Sequence, residues 1–297
     1  ILGLATGSTP IRLYRKLVKR YRDGRIDFSK TVTFNLDEYW PMPKKSIYSY
    51  HHYMNYYLFK DINIKRKNIH IPDGETPKEK IETYCGEYEE EIEKNGGIDI
   101  QILGIGGGYY DEEHRYHGGH IGFNEPESDF NSKTRLVKLS EQTRSDNSRF
   151  FLRIEDIPHY ALTMGLATIL KARKIILLAN GEHKANSIKE AVEGEITKDV
   201  PASILQRHNN TTIILDEGAG SRLTQTITPW KYERIDWREE KHRLINNRSN
   251  KITRAIIWSA LNNNIKISQI NSETLRREGL EELAKYNIEE TTSHVLN

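Results

Sequence analysis

Ile98–Ile105 is a nearly continuous apolar run set between Gly96-Gly97 and Gly106-Gly107-Gly108. That is the pattern of a strand covered on both faces. A sheet buried on both sides needs helices above and below it, which restricts the chain to an α/β architecture. The rest of the sequence agrees. Short strand-like runs at Ile1–Leu4, Thr31–Leu36, Arg135–Leu139, Tyr160–Met164, Lys174–Leu178 and Thr211–Leu215 alternate with helix-like stretches. The latter fall at Ile11–Tyr21, Ser49–Leu58, Pro77–Asn95, Ala167–Ala172, His183–Val192 and Ala202–Arg207. Pro77 opens the clearest of these helices and Gly96-Gly97 closes it. The expectation is an open, doubly wound, mainly parallel sheet with helices on both faces. After about Thr224 the pattern changes. The turn Thr228-Pro229-Trp230 leads into a mixed-charge, helix-like segment from Glu233 to Leu261, and Ser268–Leu283 reads as another helix. Two regions follow: an α/β domain over 1–224 and a helical extension over 225–297. Ile1–Leu4 reads as a strand entered abruptly, so the natural amino terminus is expected upstream of Ile1.

Charge and composition narrow the function. Lys+Arg 44 against Asp+Glu 42 leaves a formal charge of +2, so nothing global attracts nucleic acid and any anion recognition has to be local. The Lys/Arg excess between Glu233 and Leu261 reads as a solvated helix face. No apolar run approaches the roughly 18–20 residues of a membrane span. Ile1–Leu4 is too short for a signal peptide and is broken by Thr6–Pro10. The single cysteine, Cys85, excludes an internal disulfide, and a cytoplasmic setting is expected.

In open α/β sheets ligands bind beyond the carboxyl ends of the strands, so the loops there hold the candidates. Ala5-Thr6-Gly7-Ser8-Thr9-Pro10 leads from a strand into a helix. Gly7 permits close backbone approach, Ser8 and Thr9 bring hydroxyls and amides, and the helix start adds partial positive charge. That suits a phosphate; a plain helix start fits equally well. No Gly-Lys-Ser/Thr follows, so nucleoside triphosphate binding is not indicated. Asn35-Leu36-Asp37-Glu38-Tyr39 places two carboxylates at a strand end, as a base or as a solvent-facing turn. Gly119-His120-Ile121-Gly122-Phe123-Asn124-Glu125-Pro126 holds a His and a Glu in one turn, as an acid–base pair or as loop residues. Arg149 and Lys184 are cations placed to meet a phosphate on the first loop, or ordinary surface charges.

Taken together, these phrases carry more than each alone. Leu4-Ala5-Thr6-Gly7-Ser8-Thr9-Pro10, Phe34-Asn35-Leu36-Asp37-Glu38-Tyr39, Gly119–Pro126, Asn147-Ser148-Arg149-Phe150-Phe151, Tyr160–Gly165 and Ala191-Val192-Glu193-Gly194 occur in this order. The set resembles the glucosamine-6-phosphate deaminase family over roughly residues 1–224. The related phosphogluconolactonases share the fold and a phosphate loop but not the Asn-x-Asp-Glu-Tyr and Gly-His-Ile-Gly-Phe-Asn-Glu pair. The resemblance implies a Rossmann-like fold of the sugar-phosphate isomerase/deaminase type. It also implies conversion of glucosamine 6-phosphate and water to fructose 6-phosphate and ammonia. By matching motif, Asp37 is the base that moves a proton between C1 and C2. His120 assists ring opening and Glu125 orients it. Thr6, Gly7, Ser8 and Thr9 cradle the phosphate, clamped by Arg149 and Lys184. No metal or organic cofactor is implied, and the resemblance leaves a homo-oligomer open.

Two departures stand against the family pattern. Members have only a couple of residues between the Gly-Ile-Gly after the strand and the Gly-His, whereas here Gly107 to Gly118 intervene. The expectation is a flap that bulges into solvent. Some members also carry an Asp two residues before the histidine, completing an Asp-His-Glu relay, where this chain has Gly118. An impaired sugar-phosphate-binding protein or sensor on the same fold is therefore the alternative, with an isomerase or lactonase of another phosphosugar behind it. His114, His117 and His120 near Asp111–Glu113 resemble a metal set on paper, but a glycine-flanked loop need not gather them, and no metal is expected.

Overall fold

The computed structural model describes residues 1–231, Ile235, Trp237 and residues 251–285. The chain forms two units, Ile1–Gly220 and Ser221–Asn297.

In the first unit the strands are β1 (Leu2–Leu4), β2 (Thr33–Asn35), β3 (Asp37–Trp40), β4 (Ile69–His70), β5 (Ile100–Leu103) and β6 (Gly108–Tyr110). They continue as β7 (Tyr116–Gly118), β8 (Arg135–Lys138), β9 (Tyr160–Thr163), β10 (Lys174–Ala179) and β11 (Thr211–Leu215). The helices are α1 (Ile11–Arg22), α2 (Tyr50–Tyr57), α3 (Ile81–Lys94), α4 (Glu141–Asn147), α5 (Leu166–Leu170) and α6 (Ala185–Glu193). Six strands make the main sheet in the order β11-β10-β5-β1-β2-β4, and every pairing in it is parallel. Within β5, Gln101, Ile102 and Leu103 are buried, as the apolar run requires.

Four expectations in this unit need correction. The strand expected over Thr31–Leu36 ends at Asn35, and Asp37-Glu38 is not a turn. Leu36 is a hinge between sheets: its N–H bonds to Leu4 O at 3.0 Å and its carbonyl accepts from Met164 N at 2.7 Å. The chain then continues as β3 in a separate antiparallel sheet, β3-β9-β8. The strands expected near Arg135 and Tyr160 are therefore β8 and β9 of that second sheet. Side-chain pattern marks a strand but does not choose its partner. Third, the inserted segment is no loose flap. β6 and β7 pair as an antiparallel hairpin with Gly108 opposite Gly118. Its base is docked: Tyr116 is buried with its hydroxyl 2.6 Å from Ser187 Oγ on α6, and Gly118 N donates to Asp199 O at 3.0 Å. The outer strand β6 and the turn residues Glu112–Arg115 are exposed. The expected helix over Ala202–Arg207 is a 3₁₀ helix, Pro201–Arg207.

In the second unit, α7 (Thr224–Ile227), α8 (Lys251–Asn262) and α9 (Ser272–Arg277) are short. Trp237, Ile252, Ile256, Leu275 and Leu280 form their shared core. The helix expected over Ser268–Leu283 is divided: α9 starts at Asn271, whose side chain accepts from Thr274 N, and stops before Gly279. Most of the mixed-charge segment from Glu233 lies outside the described residues until Lys251. Among the described residues no helix is long and apolar enough to cross a membrane.

Candidate active site

The β1–α1 turn is built to expose amides. Gly7 has φ of +89°, a conformation that a side chain strains, so glycine makes the turn. Tyrosine hydroxyls hold the turn's carbonyls from behind: Tyr14 bonds Ala5 O, and Tyr53 on α2 bonds Gly7 O at 2.6 Å. The amides of Thr6, Gly7, Ser8 and Thr9 have no acceptor among the described residues. They lie ahead of the amino end of α1, an arrangement suited to an anion.

β3 separates its two acidic residues by strand alternation. Glu38 turns away from the cleft, where its carboxylate accepts from the backbone N–H of Tyr39, Tyr50 and His51 at 2.9, 2.8 and 3.3 Å. It thereby caps α2 together with Ser49, which accepts from His52 N. Asp37 faces the cleft. Burial pushes its carboxyl up to about 7 and Glu38 up to about 8. A carboxylate that titrates near neutrality is suited to general base work.

His120 is held by the end of β5. Gly106 N donates to His120 O at 2.8 Å, and a Cβ at Gly106 would fall 2.1 Å from the imidazole Nδ1, so only glycine leaves room for the ring. The turn that follows is tied down by buried Asn124, whose Nδ2 donates to Ile121 O and Met164 O at 2.9 and 2.8 Å. Burial, reinforced by Lys184, holds the imidazole below its ordinary value, while Glu125 and Asp146 oppose this. Glu125 does not reach the cleft. Both its oxygens accept from Ser140 N, at 3.1 and 3.0 Å, and it makes no hydrogen bond to His120. The expected direct contact is thus replaced by a tether to the start of α4.

One cleft, of about 170 Å³, gathers Thr6, Gly7, Ser8, Thr9, Asp37, His120, Arg149 and Lys184. Of the expected residues only Glu125 stays outside. Arg149 follows α4, its guanidinium over the Phe150 ring at 4.9 Å. Lys184 precedes α6, and burial holds its ammonium below the ordinary value. The cleft can take an anion beside the turn and two cations, with a carboxylate and an imidazole positioned for proton transfer. Sequence reasoning missed Tyr50, Asp146 and His183, which also line it. Tyr50 belongs to the helix expected over Ser49–Leu58, which was given no role, and Asp146 to α4, for which no element was expected. Among the described residues no group of three His, Cys, Asp or Glu is arranged for a metal. His117 lies between Asp111 and Asp199, at 3.0 and 3.2 Å, in the hairpin base. Cys85 is buried and its thiol pushed up to about 11, so it is a packing residue rather than a nucleophile.

Residues 1–108 and 138–214 match the family model described as glucosamine-6-phosphate isomerases/6-phosphogluconolactonase. The gap between these spans contains most of the hairpin and the His120 turn. A glucosamine-6-phosphate deaminase of Thermoanaerobacter sp. (strain X514) is 50% identical over 74% of this chain and 83% of its own length. One from Halothermothrix orenii is 51% identical over 75% and 88%. A solved monomeric glucosamine-6-phosphate deaminase superposes with a TM-score of 0.69 at 41% identity, covering 74% of this chain and 87% of that one.

Proposed function

This chain belongs to the glucosamine-6-phosphate isomerase/6-phosphogluconolactonase family, and on that premise we infer that it is a deaminating isomerase. It converts glucosamine 6-phosphate and water to fructose 6-phosphate and ammonia. The observation that carries this reading is the single cleft, in which an anion turn and two cations lie beside a buried carboxylate and an imidazole.

The phosphate rests on the free amides of Thr6–Thr9, and Arg149 and Lys184 neutralise it. Holding that end places the sugar's reacting carbons against Asp37 and His120. His120, kept neutral near pH 7 by burial and by Lys184, takes the proton of the C1 hydroxyl as the ring opens and passes it to the ring oxygen. Asp37 then removes the proton from C2 and returns it to C1. The electron pair left at C2 becomes the C1=C2 bond of an enolamine as the C1 carbonyl oxygen takes a proton from the amino group. On return of the proton to C1 that pair forms the new C1–H bond, while the nitrogen lone pair forms the C2=N bond of the imine. Water adds to that imine, and the carbon–nitrogen bond breaks to give the ketone and ammonia. These steps are proton transfers and a hydrolysis. Phosphorylated sugars do not cross membranes unaided, which favours a cytoplasmic setting.

A coupled ammonia assay with glucosamine 6-phosphate tests the reading, with glucose 6-phosphate as the non-aminated control. Ammonia release from the first alone is the expected result. Binding without release would favour the sensor alternative, and turnover of the control would favour a different phosphosugar reaction.

A further inference from the structure

Glu125, which follows His120 in the same turn, is committed to Ser140 N and makes no hydrogen bond to the ring. Another carboxylate occupies the cleft. Asp146, in the last turn of α4, lines it together with His120, Lys184 and Arg149. Two adjacent glycines connect the groups. The Gly106 Cβ position falls on the His120 ring, and the Gly107 Cβ position falls 3.8 Å from Asp146 Oδ2. The other oxygen, Oδ1, accepts from Gln142 Nε2 at 2.8 Å, which fixes the carboxylate on its helix. Glu125 in turn anchors that helix through Ser140, its N-cap residue. We propose that Asp146 is the acidic partner of His120 within the cleft, a positioning residue supplied by α4.

The groups acting on His120 are Lys184, at the start of the α6 segment, Glu125 in its own turn, and Asp146. The lysine favours the neutral ring and the two carboxylates favour the charged ring. Asp146 also faces Lys184, and His183 and Arg149 share the cleft. It therefore competes with an incoming phosphate for the same cations. A residue that only supported the fold would weaken binding when changed. Asp146 should do the reverse: its neutralisation should slow turnover and leave phosphate affinity equal or better.

This inference rests on the deaminase reading, so one measurement is independent of turnover. In Asp146→Asn, the NMR-observed titration of the His120 imidazole should move to lower pH by about half a unit or more, because a nearby anion has been removed. Asp146→Glu should restore it. Glu141→Gln, on the exposed side of the same helix, should leave it unchanged. By ammonia release, Asp146→Asn should lose roughly threefold to tenfold in kcat with KM unchanged or lower, and the limb of its pH–rate profile set by His120 should move down in pH. A His120 titration that stays put, or a raised KM with an unchanged profile, would overturn the proposal. If the parent protein releases no ammonia, the deaminase reading fails, while the titration still decides whether Asp146 acts on His120.

Discussion

The cleft side and the helix side of β3 use the same chemistry for opposite ends. Asp37 and Glu38 are neighbours, both buried, and both are pushed up toward neutrality by that burial. Glu38 offsets the cost with three backbone N–H donors and fastens α2 in place. Asp37 has no such donors among the described residues, and burial alone accounts for its shift. The donors give Glu38 a structural task without cancelling its burial, whereas Asp37, facing an open cleft, is a reactive group held at a cost in stability. The comparison teaches that burial by itself does not mark a functional acid. The missing hydrogen bonds do.

The sharpest way to break this contrast is Asp37→Asn. Turnover should fall by about 10²–10⁴-fold with KM within a few-fold, because the amide keeps the shape and removes the base. Near-parental kcat would put the base elsewhere. Next in size are Arg149→Ala and Lys184→Ala, which leave both faces of β3 intact. Each should raise KM by about tenfold to a hundredfold through loss of a charge-assisted phosphate contact. Unchanged affinity in either would remove that residue from the clamp.

Stability reads the contrast from the other side. Asp37 titrates higher when folded than when unfolded, so its contribution is fully present below about pH 4 and is lost as pH rises through about 7. Asp37→Asn should therefore match the parent near pH 4 and be more stable at pH 8, by a few kcal/mol at most. Chemical denaturation at the two pH values checks the sign. Glu38→Ala should do the opposite at neutral pH, costing about 2 kcal/mol by orphaning the amides of Tyr50 and His51. Its kcat should stay within a few-fold, and a collapse of kcat without loss of stability would contradict the division of labour. The smallest effect should come from Tyr53→Phe. That change removes the link from α2 to Gly7 O and should raise KM a few-fold while kcat holds.

Legibility followed the range over which each feature is decided. The β1–α1 turn could be read because its parts are consecutive: a strand, a glycine with positive φ, small hydroxyl residues and a helix start. β5 could be read because burial on both faces leaves an unbroken apolar run. The inserted hairpin was misjudged because its anchors are remote. Nothing in Gly107–Gly118 announces that Tyr116 will meet Ser187, or that Gly118 will bond Asp199. Glu125 was placed beside His120 from its nearness in sequence, but the tertiary fold brought Ser140 N closer.

The sequence by itself determined the α/β class, the β1–α1 turn and the residue types that meet in the cleft, since periodicity and turn chemistry act over a few residues. Only the tertiary structure decided that Asp37 faces the cleft while Glu38 caps a helix. It also decided that β3, β8 and β9 leave the main sheet, and that Asp146 joins the cleft from another element. Those outcomes depend on which distant backbone groups compete for each carboxylate and each strand edge, and that competition has no signature along the chain.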